Sequence, residues 1–241
     1  MDNVCVEKIV VKNCRNKDVF INVADKGSSD VLIVVHGFDS NKSGSSVRFL
    51  MDNLPFSIVS FDLPMHGESD EELLLSNCID DLSVVDSYVR NRFNGSSISL
   101  FGSSFGSYVI LNYLKVNSSL IYKNIFLKSS AVKMDKVFSS VLIEEDMDSF
   151  KDRGYTIKNR NKKMVIPYAF YEELCSNQIS FSDFRDREIY LFHGVKDDTA
   201  LFDDLGDFNY PNIHIKKLSA DHTFDNSIFS SVVGEIHKVL K

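Results

Sequence analysis

Ser104 lies in Gly102-Ser103-Ser104-Phe105-Gly106, a G-x-S-x-G stretch between the apolar run 97–101 and a segment, 107–114, whose apolar spacing predicts a helix. This is the pattern of a nucleophile elbow, a tight strand-to-helix turn that strains the serine and lifts its hydroxyl clear of the sheet. Glycine is required at 102 and 106 because a Cβ there would strike the neighbouring strand or helix. A serine hydroxyl is a poor nucleophile near neutral pH. It needs a base within hydrogen-bond reach, and the base needs a carboxylate to orient it. Both follow in the order Ser, acid, His, each after its own apolar run. Asp197 lies in His193-Gly194-Val195-Lys196-Asp197-Asp198, and His222 in Ser219-Ala220-Asp221-His222-Thr223-Phe224. Asp198 competes as the acid, and motif spacing favours Asp197. Singly, the elbow could be a chance turn, His222 a loop histidine and Asp197 a helix cap. Together, in this order, they predict a triad of Ser104, Asp197 and His222.

Acyl chemistry also needs two N–H donors for the charge that develops on the former carbonyl oxygen. The residue after the nucleophile supplies one, the Phe105 N–H. The loop after the first central strand, His36-Gly37-Phe38, should supply the other from Phe38. His36 is expected to hydrogen-bond backbone and shape that loop rather than act as a second base, and His66 and His193 are read the same way. His214 and His237 have no neighbours that suggest chemistry. No Cys, His or carboxylate cluster has metal-ligand spacing and no glycine loop suits phosphate, so neither metal nor cofactor is expected.

These residues must be carried by strands and helices. Alternation at 4–11 and 18–23 predicts two antiparallel opening strands, and the β-branched run 31–35 a strand buried on both faces. Further strands are expected at 57–61, 97–101, 125–127, 188–192 and 213–218, with helices at 45–53, 77–93, 107–114, 201–208 and 227–240. Such alternation predicts an α/β fold: a mostly parallel central sheet, helices on both faces, and functional groups on loops at the strand C-terminal ends. It breaks at 132–186, which reads as a cap of short helices or a hairpin inserted into one domain spanning 1–241. The cap aromatics Phe150, Tyr155, Tyr168, Phe170, Tyr171, Phe181 and Phe184 either line a pocket or, more ordinarily, pack the cap down. The basic run from Lys158 to Lys163 reads as a solvated loop.

The set His36-Gly37-Phe38, Asp62-Leu63-Pro64-Met65-His66-Gly67-Glu68-Ser69, the elbow, His193 to Asp197 and Ala220-Asp221-His222-Thr223-Phe224 resembles the α/β-hydrolase superfamily, in order and over nearly the whole chain. Its H-G-F and A-D-H-x-F elements are most similar to the small cinnamoyl (feruloyl) esterase-like branch. The resemblance implies the α/β-hydrolase fold with a cap between the sixth and seventh strands. It also implies Ser104, Asp197 and His222 as triad and Phe38 and Phe105 as oxyanion donors. Many such esterases carry His before the nucleophile and Gly-Gly after it, where this chain has Ser103 and Gly106-Ser107. The elbow and Tyr108 are equally similar to serine peptidases of the prolyl oligopeptidase type, so the substrate stays open.

Composition sets the outer bounds. At 241 residues, with 44% apolar and 25% charged residues, the chain fits one globular domain with a sizeable core. Its net charge of −7 argues against nucleic acid or an anionic membrane as partner. Cys5, Cys14, Cys78 and Cys175 are far apart and read as free thiols of a reducing compartment; with no leader-like N-terminus and no membrane-length apolar run, a cytoplasmic protein is expected. The leading expectation is a serine hydrolase that cleaves a small-molecule carboxylic ester through an acyl-enzyme. A thioesterase, acyltransferase or small peptidase would use the same triad, and a non-catalytic binding protein on this scaffold is the reading of another class.

Overall fold

The computed structural model describes residues 5–159 and 161–241; Val4, at the start of the expected first strand, and Arg160, within the basic run, lie outside them. The opening pair is β1 (Glu7–Lys12) and β2 (Asp18–Ala24), joined by a turn in which the Asn13 side-chain oxygen accepts the N–H groups of Arg15 and Lys17. The β-branched run becomes β3 (Asp30–Val35), buried from Val31 onward. Then follow α1 (Ser45–Asn53), β4 (Ser57–Phe61), α2 (Leu75–Arg92), β5 (Ser97–Ser103), α3 (Phe105–Val116) and β6 (Ile125–Lys128).

Between β6 and the next sheet strand lies an insert of short elements. It contains α4 (Met134–Val137) running into a π-helical turn (Phe138–Leu142), α5 (Met147–Arg153), an antiparallel hairpin of β7 (Tyr155–Asn159) and β8 (Lys163–Pro167), and α6 (Tyr168–Ser176). No element here exceeds nine residues, too short to register a clear period in sequence. The chain returns to the sheet as β9 (Ile189–Gly194) and β10 (Ile213–Leu218) and ends in α7 (Asn226–Leu240). The helix expected at 201–208 is instead one 3-10 turn, Phe202–Leu205, stopped by Gly206 at φ 70°.

The eight-stranded sheet has the order β1-β2-β4-β3-β5-β6-β9-β10, with β2 antiparallel to both neighbours and every other pairing parallel. One face buries α1 and α7 against Leu32, Val34, Ile58 and Phe101. The other buries α2, α3 and the insert against Ile33, Val35 and Leu100. With both faces covered, the central strands are apolar throughout rather than alternating. All strand C-termini from β3 to β10 except that of the insert hairpin therefore open on one edge, where Ser104, Asp197 and His222 follow their strands.

The basic run is not a solvated loop. Lys158 and Asn159 end β7, Lys163 begins β8, and two of the lysines, Lys158 and Lys162, reach core loops. The Lys158 side chain, 9% exposed, pairs with Asp39 at 3.5 Å, donates to the Leu142 carbonyl at 3.1 Å and lies over the Phe38 ring. Lys162 donates to the carbonyls of Gly67 and Ser69. Backbone carbonyls left open by the irregular loops give these ammonium groups their partners. No helix among the described residues is long and apolar enough to cross a membrane.

Candidate active site

Ser104 is the single residue between β5 and α3, at φ 52° and ψ −114°. A non-glycine residue there is strained, and the strain is held by the surroundings. Its N–H donates to the Lys128 carbonyl on β6 at 2.8 Å, and its carbonyl accepts from Ser107 at 2.9 Å. The turn is as tight as the glycines suggested. A Cβ on Gly102 would lie 2.7 Å from the Ser107 backbone, and one on Gly106 would overlap the Val35 carbonyl of β3.

Ser104 meets its expected partners. The Ser104 hydroxyl is 2.8 Å from His222 Nε2, and His222 Nδ1 lies 3.0 and 2.9 Å from the two Asp197 carboxylate oxygens. A carboxylate can only accept, so Nδ1 carries the proton and Nε2 accepts from the Ser104 hydroxyl. Asp197 is 4% exposed, and Oδ1 also accepts the N–H groups of Thr199 and Ala200. One carboxylate thus both caps the Thr199 turn and hydrogen-bonds the imidazole. Burial pushes the Asp197 carboxyl up, but the hydrogen bond and charge of His222 and the Ala200 N–H outweigh it and hold the carboxyl below its ordinary range. Asp198 is exposed and points its carboxylate toward Thr199 instead.

The His36 loop lies against the elbow: a Cβ on Gly37 would sit 3.2 Å from the Ser103 carbonyl and 3.5 Å from Ser104 Cβ. Phe105 begins α3, so its N–H has no acceptor within the helix. Among the described residues nothing accepts the Phe38 N–H either. His36 Nδ1 donates to the Gly37 carbonyl at 2.8 Å while Nε2 accepts the Leu63 N–H at 3.1 Å, tying this loop to the one after β4. His66 bonds the Pro64 carbonyl at 2.8 Å and His193 the Ala200 carbonyl at 2.7 Å. Burial drives the pKa of His36 down to about 4 and that of His66 to about 3, so both stay neutral.

Most insert aromatics pack rather than line a cavity. Phe150, Phe170, Phe181 and Phe184 are buried, while Tyr155 is exposed. Phe170 meets Phe105 edge-on at 5.8 Å and Phe138 at 5.4 Å, and Phe38 meets Phe105 at 5.7 Å. The insert is thereby seated on both residues expected to donate at the oxyanion site.

Two groups near Ser104 had no signal in the motifs. Lys128, at the end of β6, is 3% exposed; it donates to the His222 carbonyl at 2.9 Å and lies 4.3 Å from the Phe224 ring centroid. Ser129 donates to the same carbonyl at 2.8 Å, so the end of β6 grips the His222 loop from below. A lysine closing an apolar strand reads as a chain returning to solvent. Only the parallel pairing of β6 with β9 turns it inward. Similarly, Lys42 reaches buried Asp62 at 2.5 Å and Glu68 at 2.7 Å, fixing the loop after β4.

Two cavities meet at Ser104, sharing Phe38, His222 and Thr223. One, about 460 Å³, lies under the insert, with Met134, Val137, Val141 and Leu142 as apolar floor and Asp39, Asp198 and Asp221 about it. The other, about 200 Å³, lies between the His36 loop, α1 and the His222 loop, and contains Lys128. Among the described residues no group of three or more His, Cys, Asp or Glu side chains is arranged to hold a metal ion. The arrangement provides a hydroxyl bonded to a base, the base bonded to a buried carboxylate, and two unspent N–H groups nearby.

No curated protein sequence matches this chain. In solved structures, its backbone is similar to Est1E from Butyrivibrio proteoclasticus with ferulic acid bound (15% identity, TM-score 0.80, 96% of this chain and 97% of that one). It is also similar to alpha/beta hydrolase domain-containing protein 10 from mouse (15%, 0.74, 97% of this chain and 98% of that one). A third similar structure is the Pyrococcus furiosus esterase Pf2001 (16%, 0.74, 98% of this chain and 91% of that one). At such identities these likenesses establish the fold. A family model covering residues 30–151, half of the chain, carries the elbow and the Phe38 loop and ends before Asp197 and His222. By that match, the chain belongs to the alpha/beta hydrolase fold family.

Proposed function

We propose that the protein is a serine hydrolase that cleaves a small-molecule carboxylic ester through an acyl-enzyme. The observation that carries this reading is the unbroken hydrogen-bond chain from the Ser104 hydroxyl through His222 to Asp197. Ser104 Oγ attacks the ester carbonyl while His222 Nε2 takes its proton. Asp197 fixes the imidazole tautomer and stabilises the imidazolium. The carbonyl oxygen becomes an oxyanion and takes the N–H groups of Phe38 and Phe105. Collapse of the tetrahedral intermediate expels the alcohol, which receives its proton from His222. Water, deprotonated by His222, then releases the acid and restores Ser104. In this reading residues 132–186 are a cap on a single domain, and the 460 Å³ cavity beneath it admits the substrate. Esterase chemistry is favoured further by the names of two structural neighbours, Est1E with its ferulic acid and the Pyrococcus furiosus esterase.

The test is turnover of 4-nitrophenyl acetate and butyrate by the native protein and by Ser104→Ala. The variant should keep its fold and lose activity by about 10⁵-fold or more. Unchanged turnover in a folded Ser104→Ala would sink the proposal. A series of acyl-thioesters and aminoacyl amides, run alongside, separates ester from thioester and peptide chemistry.

A further inference from the structure

The cavity between the His36 loop, α1 and the His222 loop differs from the cleft under the cap in one respect that the ester reading does not explain. Lys128 lines it, buried, with a hydrogen bond to the His222 carbonyl and a ring face as its contacts. Among the described residues no carboxylate comes within ion-pair distance of its ammonium, and none lines the cavity. A buried cation is costly unless something compensates its charge. A carbonyl and an aromatic face meet part of that need, and among the described residues the ammonium has no other hydrogen-bond acceptor. Ser40, Ser45 and Ser46 edge the same cavity, and among the described residues their hydroxyls make no hydrogen bond. Ser45 and Ser46 open the nine-residue helix α1, whose N-cap, Gly44, has no side chain to take the first N–H groups. Lys128 and these serines line a cavity that also includes Ser104.

We propose that this cavity is a subsite for a carboxylate-class anion carried by the substrate, with Lys128 as its counter-charge. This rests on the ester hydrolase reading and adds the substrate class: esters with a free acid group a few bonds from the scissile carbonyl. The other cleft supports the assignment by exclusion, because Asp198 and Asp221 about it repel an anion. An anionic ester therefore has one orientation at Ser104, with the acid toward α1 and the neutral part under the cap. Burial lowers the Lys128 pKa to about 8, against Asp197 and Asp221, which raise it. The ammonium is charged below that value and neutral above it. Asp197 and Asp221 stay ionised and His193 stays neutral through this range, each pKa being held down. His222 serves anionic and neutral esters alike and cancels in a ratio of their rates.

The acid can belong to the acyl part or to the alcohol, and paired substrates distinguish them. We expect kcat/KM for 4-nitrophenyl hydrogen glutarate to exceed that for 4-nitrophenyl pentanoate, or 4-carboxyphenyl butyrate to exceed phenyl butyrate, by about tenfold at pH 7. The favoured ratio should fall toward one in Lys128→Met, and in the native protein as pH rises through about 8. A native ratio at or below one in both pairs, or Lys128→Met slowing both members of a pair equally, would overturn the subsite. The pH profile keeps the test decisive should the variant not fold: a ratio that stays flat from pH 7 to 9.5 overturns it as well. If the native protein hydrolyses none of these esters, the ester reading fails. The subsite is then judged by calorimetry on Ser104→Ala, where monomethyl glutarate should bind about tenfold tighter than dimethyl glutarate. Equal binding rejects it.

Discussion

On the α1 side of Ser104 the cavity has a buried ammonium and a row of unspent serine hydroxyls; on the cap side it has an aliphatic floor and three aspartates. The two sides are built differently. The α1 side is walled by the ends of β3 and β5 and by the loop that His36 ties to Leu63, so its positions follow from the sheet. The cap side is floored by α4 and the π-helical turn, short elements whose seat depends on Phe138, Phe170 and Phe105 packing together. The contrast separates two tasks. In the proposed reading, chemistry and charge recognition belong to sheet-supported loops, and size selection to an insert that can vary without disturbing the triad.

The largest effect should come from a change that both sides share. Asp197→Asn leaves the shape but replaces the acceptor-only carboxylate with a neutral amide that can donate to Nδ1 and favour the wrong His222 tautomer, and should lower kcat by about 10³ to 10⁴-fold for anionic and neutral esters equally. Steady-state kinetics on one ester of each kind checks this, and a loss confined to one kind would break the idea of a common centre. Next, Leu142→Ala opens the cap floor. It should cost esters with a bulky neutral part about tenfold in kcat/KM, with a smaller loss for acetate; equal losses would mean that the floor does not select size. The smallest effect belongs to Asp198→Asn on the exposed rim. At low salt it should raise kcat/KM about two- to threefold for a diacid ester, whose second carboxylate must face the cap side, and the gain should vanish at high salt. A gain that survives high salt would contradict a rim-charge effect.

The sheet was legible because its strands carry unambiguous runs: the buried stretch at β3 and the strands before Asp197 and His222 each stand where the apolar pattern puts them. The elbow was legible for a different reason, since Gly102 and Gly106 are steric necessities of the turn and leave a mark in sequence. What stayed hidden depends on long-range placement. Nothing local distinguishes Lys128 from a strand-ending surface lysine, and its burial follows from the strand pairing that brings the His222 loop over it. Lys158 looked like part of a solvated charge run, yet the hairpin lays it across Phe38 and Asp39. The helix expected at 201–208 failed because one glycine outweighed a suggestive apolar spacing.

The role of Ser104 is the claim on which the rest depends, and covalent labelling reads it without reference to any substrate. A fluorophosphonate probe, followed by peptide mapping in a mass spectrometer, should place one adduct on Ser104, with none formed in Ser104→Ala. An adduct on another residue, or none on the folded native protein, would contradict the account.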